Sequence, residues 1–375
     1  MTRLVQLCAD PGVPWGGTKG ASVHLAELAA ALARRGAEVL TVVTRRTDGA
    51  NAPPGVEVVV LPGPGRDASV EERLASDADR ASWLAEQVQG FGADAVYERF
   101  ALHTGAGHAA SRAAGVPHLV ELNAPLPAEA AAFRTLEAPT EAHRFEARVL
   151  TGADVVCAVS PPLAAYAACR GARRTLIVPN AVDPARFPHP AAVAANPPTA
   201  VFTGTLRPWH GIDTLADAWR LLGREAPHLL GVGDGPGREQ LAAVGAEITG
   251  TLPHASVAAL LANAQIGLAP YPARGPDYFS PLKLFEYLAA GLAVVAADLP
   301  GVIDAVADNA AVLVPRGDPA ALAAAVAHLT AHPDARVTLG GAGRRLAFAR
   351  HTWDHRAAMV LALAADSRRR EALPA

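Results

Sequence analysis

The sequence predicts an α/β architecture: two doubly wound parallel sheets, one after the other. Three observations carry this expectation. The 375 residues exceed what one ordinary core accommodates, so two domains of under 200 residues each are the natural division. The chain opens as strand, glycine-rich loop, helix and strand, which is a βαβ unit. A stretch holding Pro179, Pro184, Pro188, Pro190, Pro197 and Pro198 then interrupts the alternation, after which it starts again.

In the first half, residues 4–7 form a short apolar run, followed by a loop rich in Gly and Pro that includes Gly16, Gly17 and Lys19. A helix is expected from Ser22 to about Arg35, stopped by Gly36, with a second strand over residues 39–43. The loop is not a Walker A, because Gly20 follows Lys19 where Ser or Thr would hold a metal. Its glycines permit close backbone approach to a ligand, although a plain strand-to-helix connection has the same composition. Further strand-like runs lie at 56–61, 95–97, 118–122, 155–159 and 176–178, with helical stretches between them. Glu121 and Asn123 fall at the end of the 118–122 strand, where ligands bind in open α/β sheets; a surface Glu followed by an Asn turn is the plain alternative.

In the second half, a strand at 200–203 runs into Gly204-Thr205-Leu206-Arg207-Pro208-Trp209-His210-Gly211 and a helix to about Leu222. The 228–232 strand leads into the turn Gly233-Asp234-Gly235-Pro236-Gly237, and strands follow near 248 and at 266–269, 293–296 and 312–314. Between the third and fourth of these five runs lies the most informative stretch, residues 277–291. Ser280 reads as an N-cap and Pro281 as the first helical residue, with Gly291 as the stop. The first turn carries Lys283, where a cation opposes the helix dipole by about 0.3–1 kcal/mol unless an anion lies close. Exposed amides, that lysine and Glu286 one turn on suit a nucleotide diphosphate and its ribose; an ordinary helix with a surface lysine fits the same residues.

Composition narrows the class. A formal net charge of −3 provides no basic footprint for nucleic acid. Cys8, Cys157 and Cys169 have neither metal-ligand nor redox spacing and read as buried, reduced thiols of a cytoplasmic protein. No secretory leader pattern and no apolar run long enough to span a bilayer occurs. Residues 66–91 carry three arginines against six carboxylates, a poor match for anionic lipid, which argues against membrane association. A homodimer is compatible with this composition. His351 and His355 are one helical turn apart but lack the rest of a zinc motif, so no metal site is expected.

Taken together, the segments resemble the retaining glycosyltransferases of family 4, over nearly the whole chain. The carriers are the loop at 16–20, Val178-Pro179-Asn180-Ala181-Val182-Asp183, Phe202-Thr203-Gly204-Thr205-Leu206 with His210-Gly211, Gly233-Asp234-Gly235-Pro236, Thr249-Gly250-Thr251-Leu252-Pro253, and 277–291 with Leu292-Ala293-Val294-Val295. The resemblance implies the GT-B architecture: two Rossmann-like domains facing across a cleft, here 1–183 for the acceptor and 184–350 for the donor. A helix over 351–375 would cross back to the first domain, and Thr352-Trp353 match its start. It also implies sugar transfer from a nucleotide diphosphate with retention, without metal or other cofactor. UDP is favoured over GDP or dTDP only as the commonest carrier.

By the same resemblance, the donor would meet Gly16, Gly17, Thr205, Arg207, Gly233, Leu252, Tyr278, Ser280, Pro281, Leu282, Lys283 and Glu286, the last binding the ribose. Lys19, Glu98, Arg99 and Glu121 would face the acceptor, and Glu121, Asn123, His210 and Lys283 are the catalytic candidates. The departures are specific. Tyr278 stands where the family's first motif glutamate falls, and Thr205 and His210 stand where its phosphate-binding Arg and Lys fall. Lys283, Arg207 and a protonated His210 would have to replace that charge. Glu98 and Glu121 suggest a small cationic acceptor such as an aminocyclitol in natural-product biosynthesis, with a polysaccharide or lipid-linked saccharide as the alternative. A nucleotide-sugar epimerase and a catalytically silent nucleotide-sugar binder are the rival readings of the same site.

Overall fold

The computed structural model describes residues 1–65, 67–306 and 309–371. The chain divides into two compact units, Met1–Pro179 with Trp353–Ala375, and Asn180–Thr352.

The first unit is built on strands β1 (Arg3–Cys8), β2 (Glu38–Val43), β3 (Val56–Val60), β4 (Ala95–Arg99), β5 (His118–Leu122), β6 (Val155–Ala158) and β7 (Thr175–Ile177). Its helices are α1 (Gly20–Arg34), α2 (Val70–Ala75), α3 (Asp77–Phe91), α4 (Ala106–Ala114), α5 (Leu126–Phe133), α6 (Pro139–Gly152) and α7 (Pro161–Cys169). The strands pair in parallel in the order β3-β2-β1-β4-β5-β6-β7. β5 is buried at every position, as a strand covered on both faces must be. The first helix starts at Gly20, two residues before the expected Ser22, because Lys19 serves as the cap residue and its carbonyl accepts from the Ser22 and Val23 amides.

The second unit holds β8 (Thr199–Thr203), β9 (His228–Val232), β10 (Glu247–Ile248), β11 (Ile266–Ala269), β12 (Ala293–Ala297) and β13 (Val312–Val314). Around them lie α8 (Ile212–Leu222), α9 (Arg238–Ala242), α10 (His254–Leu261), α11 (Leu282–Ala290), α12 (Pro300–Ala305), α13 (Pro319–Ala331) and α14 (Pro333–Arg350). The strand order is β10-β9-β8-β11-β12-β13, again parallel throughout. Apolar clusters cover this sheet on both faces: Phe285, Leu288 and Val294 on one, Phe202, Leu215 and Val295 on the other.

The final helix, α15 (Trp353–Glu371), belongs to the first unit, where it packs against α1. Trp353 meets His24 edge to face at 4.7 Å, and Arg34 pairs with Asp354 at 3.2 Å. The crossing-back helix expected from residues 351–375 is thus present, though His351 stays with the second unit, its Nε2 3.0 Å from the Ala305 carbonyl oxygen. One expectation about cysteines is corrected: Cys169 is exposed at the end of α7, whereas Cys8 and Cys157 are buried, their thiols pushed up to about 12 by desolvation. Among the described residues, no helix is long and apolar enough to cross a membrane.

Each sheet has one switch point, between β1 and β4 in the first unit and between β8 and β11 in the second. The crevice beyond the carboxyl ends of such strands is where open α/β sheets bind ligands.

Candidate active site

At the second unit's switch point, β8 ends before Gly204 and β11 ends before Pro270 and Tyr271. Gly204 and Gly233 have φ of 131° and 141°, a region that favours glycine, and a Cβ on Gly233 would lie 2.0 Å from the Gly204 carbonyl oxygen. Gly233 is therefore required by the approach of two loops, whatever else it touches. Gly211 is also closely confined, since a Cβ there would lie 2.8 Å from the Tyr271 amide nitrogen.

The approach of these loops encloses Lys283. It is 8% exposed, its Nζ sits 3.8 Å from the centroid of the Phe202 ring, and among the described residues that nitrogen has no hydrogen-bond partner. A Cβ on Gly204 would lie 3.2 Å from Nζ, so the lysine lies against the turn itself. Burial lowers its pKa to about 7, opposed by the nearby Glu286 carboxylate. Lys283 is in the first turn of α11, whose leading amides have no intrahelical acceptors.

The cap of this helix differs from the sequence-based expectation. Pro281 is the cap residue and Leu282 the first helical one, while the Ser280 Oγ accepts the Asn180 amide at 2.9 Å instead of capping α11. The Asn180 side-chain amide also donates to the Ser280 carbonyl. Ser280 thereby ties the entry of α11 to the start of the unit, a tertiary bond that local capping rules do not foresee.

In the ligand-free protein His210 does not carry the positive charge that the sequence suggested for it. Its Nδ1 lies 2.6 Å from the Thr205 carbonyl oxygen, and burial followed by repulsion from Lys283 lowers its pKa to about 3, so the ligand-free imidazole is neutral. Thr205 and Arg207 are exposed at the mouth of the turn, with the Arg207 guanidinium 5.5 Å from the Trp209 ring. Tyr278 is buried beside Phe279, which stacks on Tyr271 at 5.4 Å; Leu252 packs against the core beneath. Glu286, one turn beyond Lys283, bonds through Oε1 to His254 Nε2. Sequence reasoning missed His254, Tyr271 and Phe279; His254 follows the quoted Leu252-Pro253 directly and was the easiest of the three to find.

In the first unit, Glu121 at the end of β5 is 2% exposed and accepts from four groups. These are His24 Nε2 (2.8 Å), the Tyr97 hydroxyl (2.8 Å), Arg99 Nη1 (2.6 Å) and the Asn123 side-chain amide. Burial pushes its pKa up, but His24, Arg99 and Asn123 outweigh that and hold it well below the usual carboxylate range. Its bonds orient Arg99 and Asn123, the hydrogen-bond-acceptor role open to it, and a carboxylate so held takes up a proton poorly. For Glu98 the expectation is corrected. It points to the opposite face of β4, is fully buried, and bonds to His118 at 2.7 Å beneath Gly107, where a Cβ would lie 2.3 Å from Oε2. Core packing, not an acceptor, surrounds it.

Lys19 is exposed ahead of α1. Gly16 (φ 80°) fits against Ala50 and Gly17 against Ser22, so both glycines have packing reasons.

The comparisons with known proteins agree with this geometry. Residues 197–332 match the family model for glycosyl transferases group 1, and residues 19–181 match that of a glycosyl transferase 4-like domain. No curated protein matches the chain in sequence. Among solved structures, sucrose-phosphate synthase from Thermosynechococcus elongatus superposes with a TM-score of 0.76 at 21% identity, covering 98% of this chain and 99% of that one. Anabaena HepE in complex with UDP and glucose gives 0.74 at 18%, covering 98% and 100%. A glycosyltransferase involved in avilamycin A biosynthesis gives 0.67 at 17%, covering 98% of each. The fold is GT-B, with two Rossmann-like parallel sheets. The chain belongs to the group 1 glycosyltransferases and is a glycosyltransferase enzyme.

Proposed function

We propose that the enzyme transfers a sugar from a uridine diphosphate donor to a hydroxyl of a small acceptor, with retention at the anomeric carbon and without a metal ion. The observation that carries this reading is Lys283: a buried ammonium with no hydrogen-bond partner among the described residues, at the start of a helix and against the Gly204 turn. A buried cation of this kind is costly unless an anion joins it, and a pyrophosphate meets both the ammonium and the helix amides. Charge developing on the leaving diphosphate would be met by groups already in place, which is how such a site lowers a barrier.

Glu286 one turn further on suits the ribose hydroxyls, with His254 orienting it. The choice of UDP is supported by a structural neighbour that has UDP and glucose bound. Retention and metal independence rest on the family resemblance together with the Lys283 cluster.

The test is a panel of UDP-, GDP- and dTDP-sugars screened for thermal shift and then for turnover, with the product anomer read by NMR. UDP-sugars should raise Tm, since bound ligand stabilises by RT ln(1 + [L]/Kd). Turnover should release UDP only when an acceptor is present. Binding confined to another base, turnover that requires added metal, or an inverted product would each overturn the corresponding part.

A further inference from the structure

The first unit's switch point opens into a pocket of about 310 Å³, within the size range of small-molecule sites. Its wall comes from the segments after β1 (Asp10) and β4 (His103), from α2 and α3 (Arg73 and Arg80), and from the segment after α5 (Arg134 and Glu137). The sequence gives residues 66–91 an acidic balance, but the fold sorts it by face. Glu71, Glu72, Asp79 and Glu86 are exposed, whereas Arg80 is 6% exposed and Arg73 half-buried.

The two arginines are held in place. Arg80 donates from Nε to the Pro62 carbonyl and from Nη2 to the Pro64 carbonyl, both at 3.1 Å, in a seat that a Cβ on Gly63 would fill at 2.7 Å. Arg73 Nε is buried without a partner, and among the described residues neither arginine forms an ion pair. Burial lowers the Arg80 pKa; the nearby Asp77 carboxylate opposes that shift, and Arg73 adds a smaller push downward.

The neighbouring acids are engaged or peripheral. Asp77 accepts from the Thr104 hydroxyl (2.7 Å) and the Gly105 amide (3.2 Å), and Asp10 accepts from the Gly12 amide (2.7 Å). Glu129 pairs with Arg134 at 3.3 Å, and Glu137 is exposed. The pocket wall is also strained: His103 takes a left-handed φ of 59°, its Nε2 2.8 Å from the carbonyl oxygen of Glu137, and Ala138, which follows Glu137 just outside the wall, has φ 41°. Strain at non-glycine residues is kept where the surrounding structure imposes it, often beside a ligand.

We infer that this pocket binds an anionic group of the acceptor, a phosphate monoester or a carboxylate, with Arg73 as its principal partner and Arg80 and Arg134 beside it. A planar guanidinium matches either anion in bidentate fashion. The inference rests on the glycosyltransferase reading above and replaces the cationic acceptor that the acidic sequence suggested.

Two measurements on the full chain test it. Inorganic phosphate is titrated calorimetrically into wild type, Arg73→Gln, Lys283→Met and the double variant. Besides any phosphate held at Lys283, there should be a site that Arg73→Gln removes and Lys283→Met leaves; unchanged binding in Arg73→Gln, or no phosphate site outside that of Lys283, overturns the inference. In the second, a neutral sugar, its 6-phosphate, its sugar acid and its amino sugar are compared as acceptors with a UDP-sugar. The phosphorylated or acid member should react fastest, and Arg73→Gln should raise its KM about tenfold or more while donor affinity holds. Preference for the neutral or amino member overturns it. Should UDP fail to shift the wild-type Tm, the donor reading fails, while the phosphate titration still decides the pocket.

Discussion

Replacing Lys283 by methionine separates a binding lysine from a structural one, because the two readings differ in sign. The ordinary lysine pKa of 10.5 falls to about 7 in the folded protein because of burial. Between those values the unfolded chain binds more protons than the folded one, so stability rises with pH from about 7 to 10.5. At pH 7 the buried ammonium therefore costs about 4 kcal/mol relative to a site with no titrating group. Methionine removes that cost but also the contact with the Phe202 ring, about 1–2 kcal/mol. The net gain of about 2–3 kcal/mol, at about 2–4 °C per kcal/mol for a unit of this size, raises the ligand-free Tm by about 5 °C or more.

The same change removes the partner of the pyrophosphate, and truncating one member of a buried charge pair costs about 2–5 kcal/mol, so the UDP Kd should rise at least about 30-fold. In wild type, UDP affinity should be full below pH 7 and weaken above it, as Lys283 loses its proton. Differential scanning calorimetry and titration of UDP from pH 6 to 9 read both effects. A lower Tm together with unchanged UDP affinity in Lys283→Met would refute the reasoning.

Glu121→Gln leaves the Arg99 guanidinium and His24 without their carboxylate, and should lower stability by about 3–5 kcal/mol in urea unfolding at pH 7. Because Glu121 is held below the usual range, the stability it supplies is present above the unfolded carboxylate pKa and lost on acidification, so the gap to the variant should narrow below pH 4.5. Glu286→Ala should raise the KM for the nucleotide sugar about tenfold or more with little change in the acceptor KM, and equal KM values would remove its ribose role. Gly233→Ala forces a Cβ to 2.0 Å from the Gly204 carbonyl at φ 141°; a cost of about 2–5 kcal/mol should appear as a lower urea midpoint and weakened UDP binding.

The alternation of apolar runs with glycine-stopped helices determined the two parallel sheets, because strand burial and helix termination are written in local residue order. Four strands, at 118–122, 228–232, 266–269 and 312–314, have the boundaries the sequence implies. The helix at Leu282–Ala290 was equally legible, and with it Lys283 and Glu286 one turn apart.

What the local order could not determine is the partner of each polar group, since that partner lies far along the chain. Ser280 looks like a cap and instead accepts from Asn180. His210 looks like a spare cation, but burial beside Lys283 keeps it neutral. Glu98 and Glu121 look alike as strand-end acids, yet β4 directs one into the core, while β4, α1 and the residue after β5 surround the other with four donors. Residues 66–91 look acidic, and only tertiary packing turns Arg73 and Arg80 inward. Chain order fixes which charges a segment carries, while the fold decides which of them leave water, and that desolvation makes them chemistry.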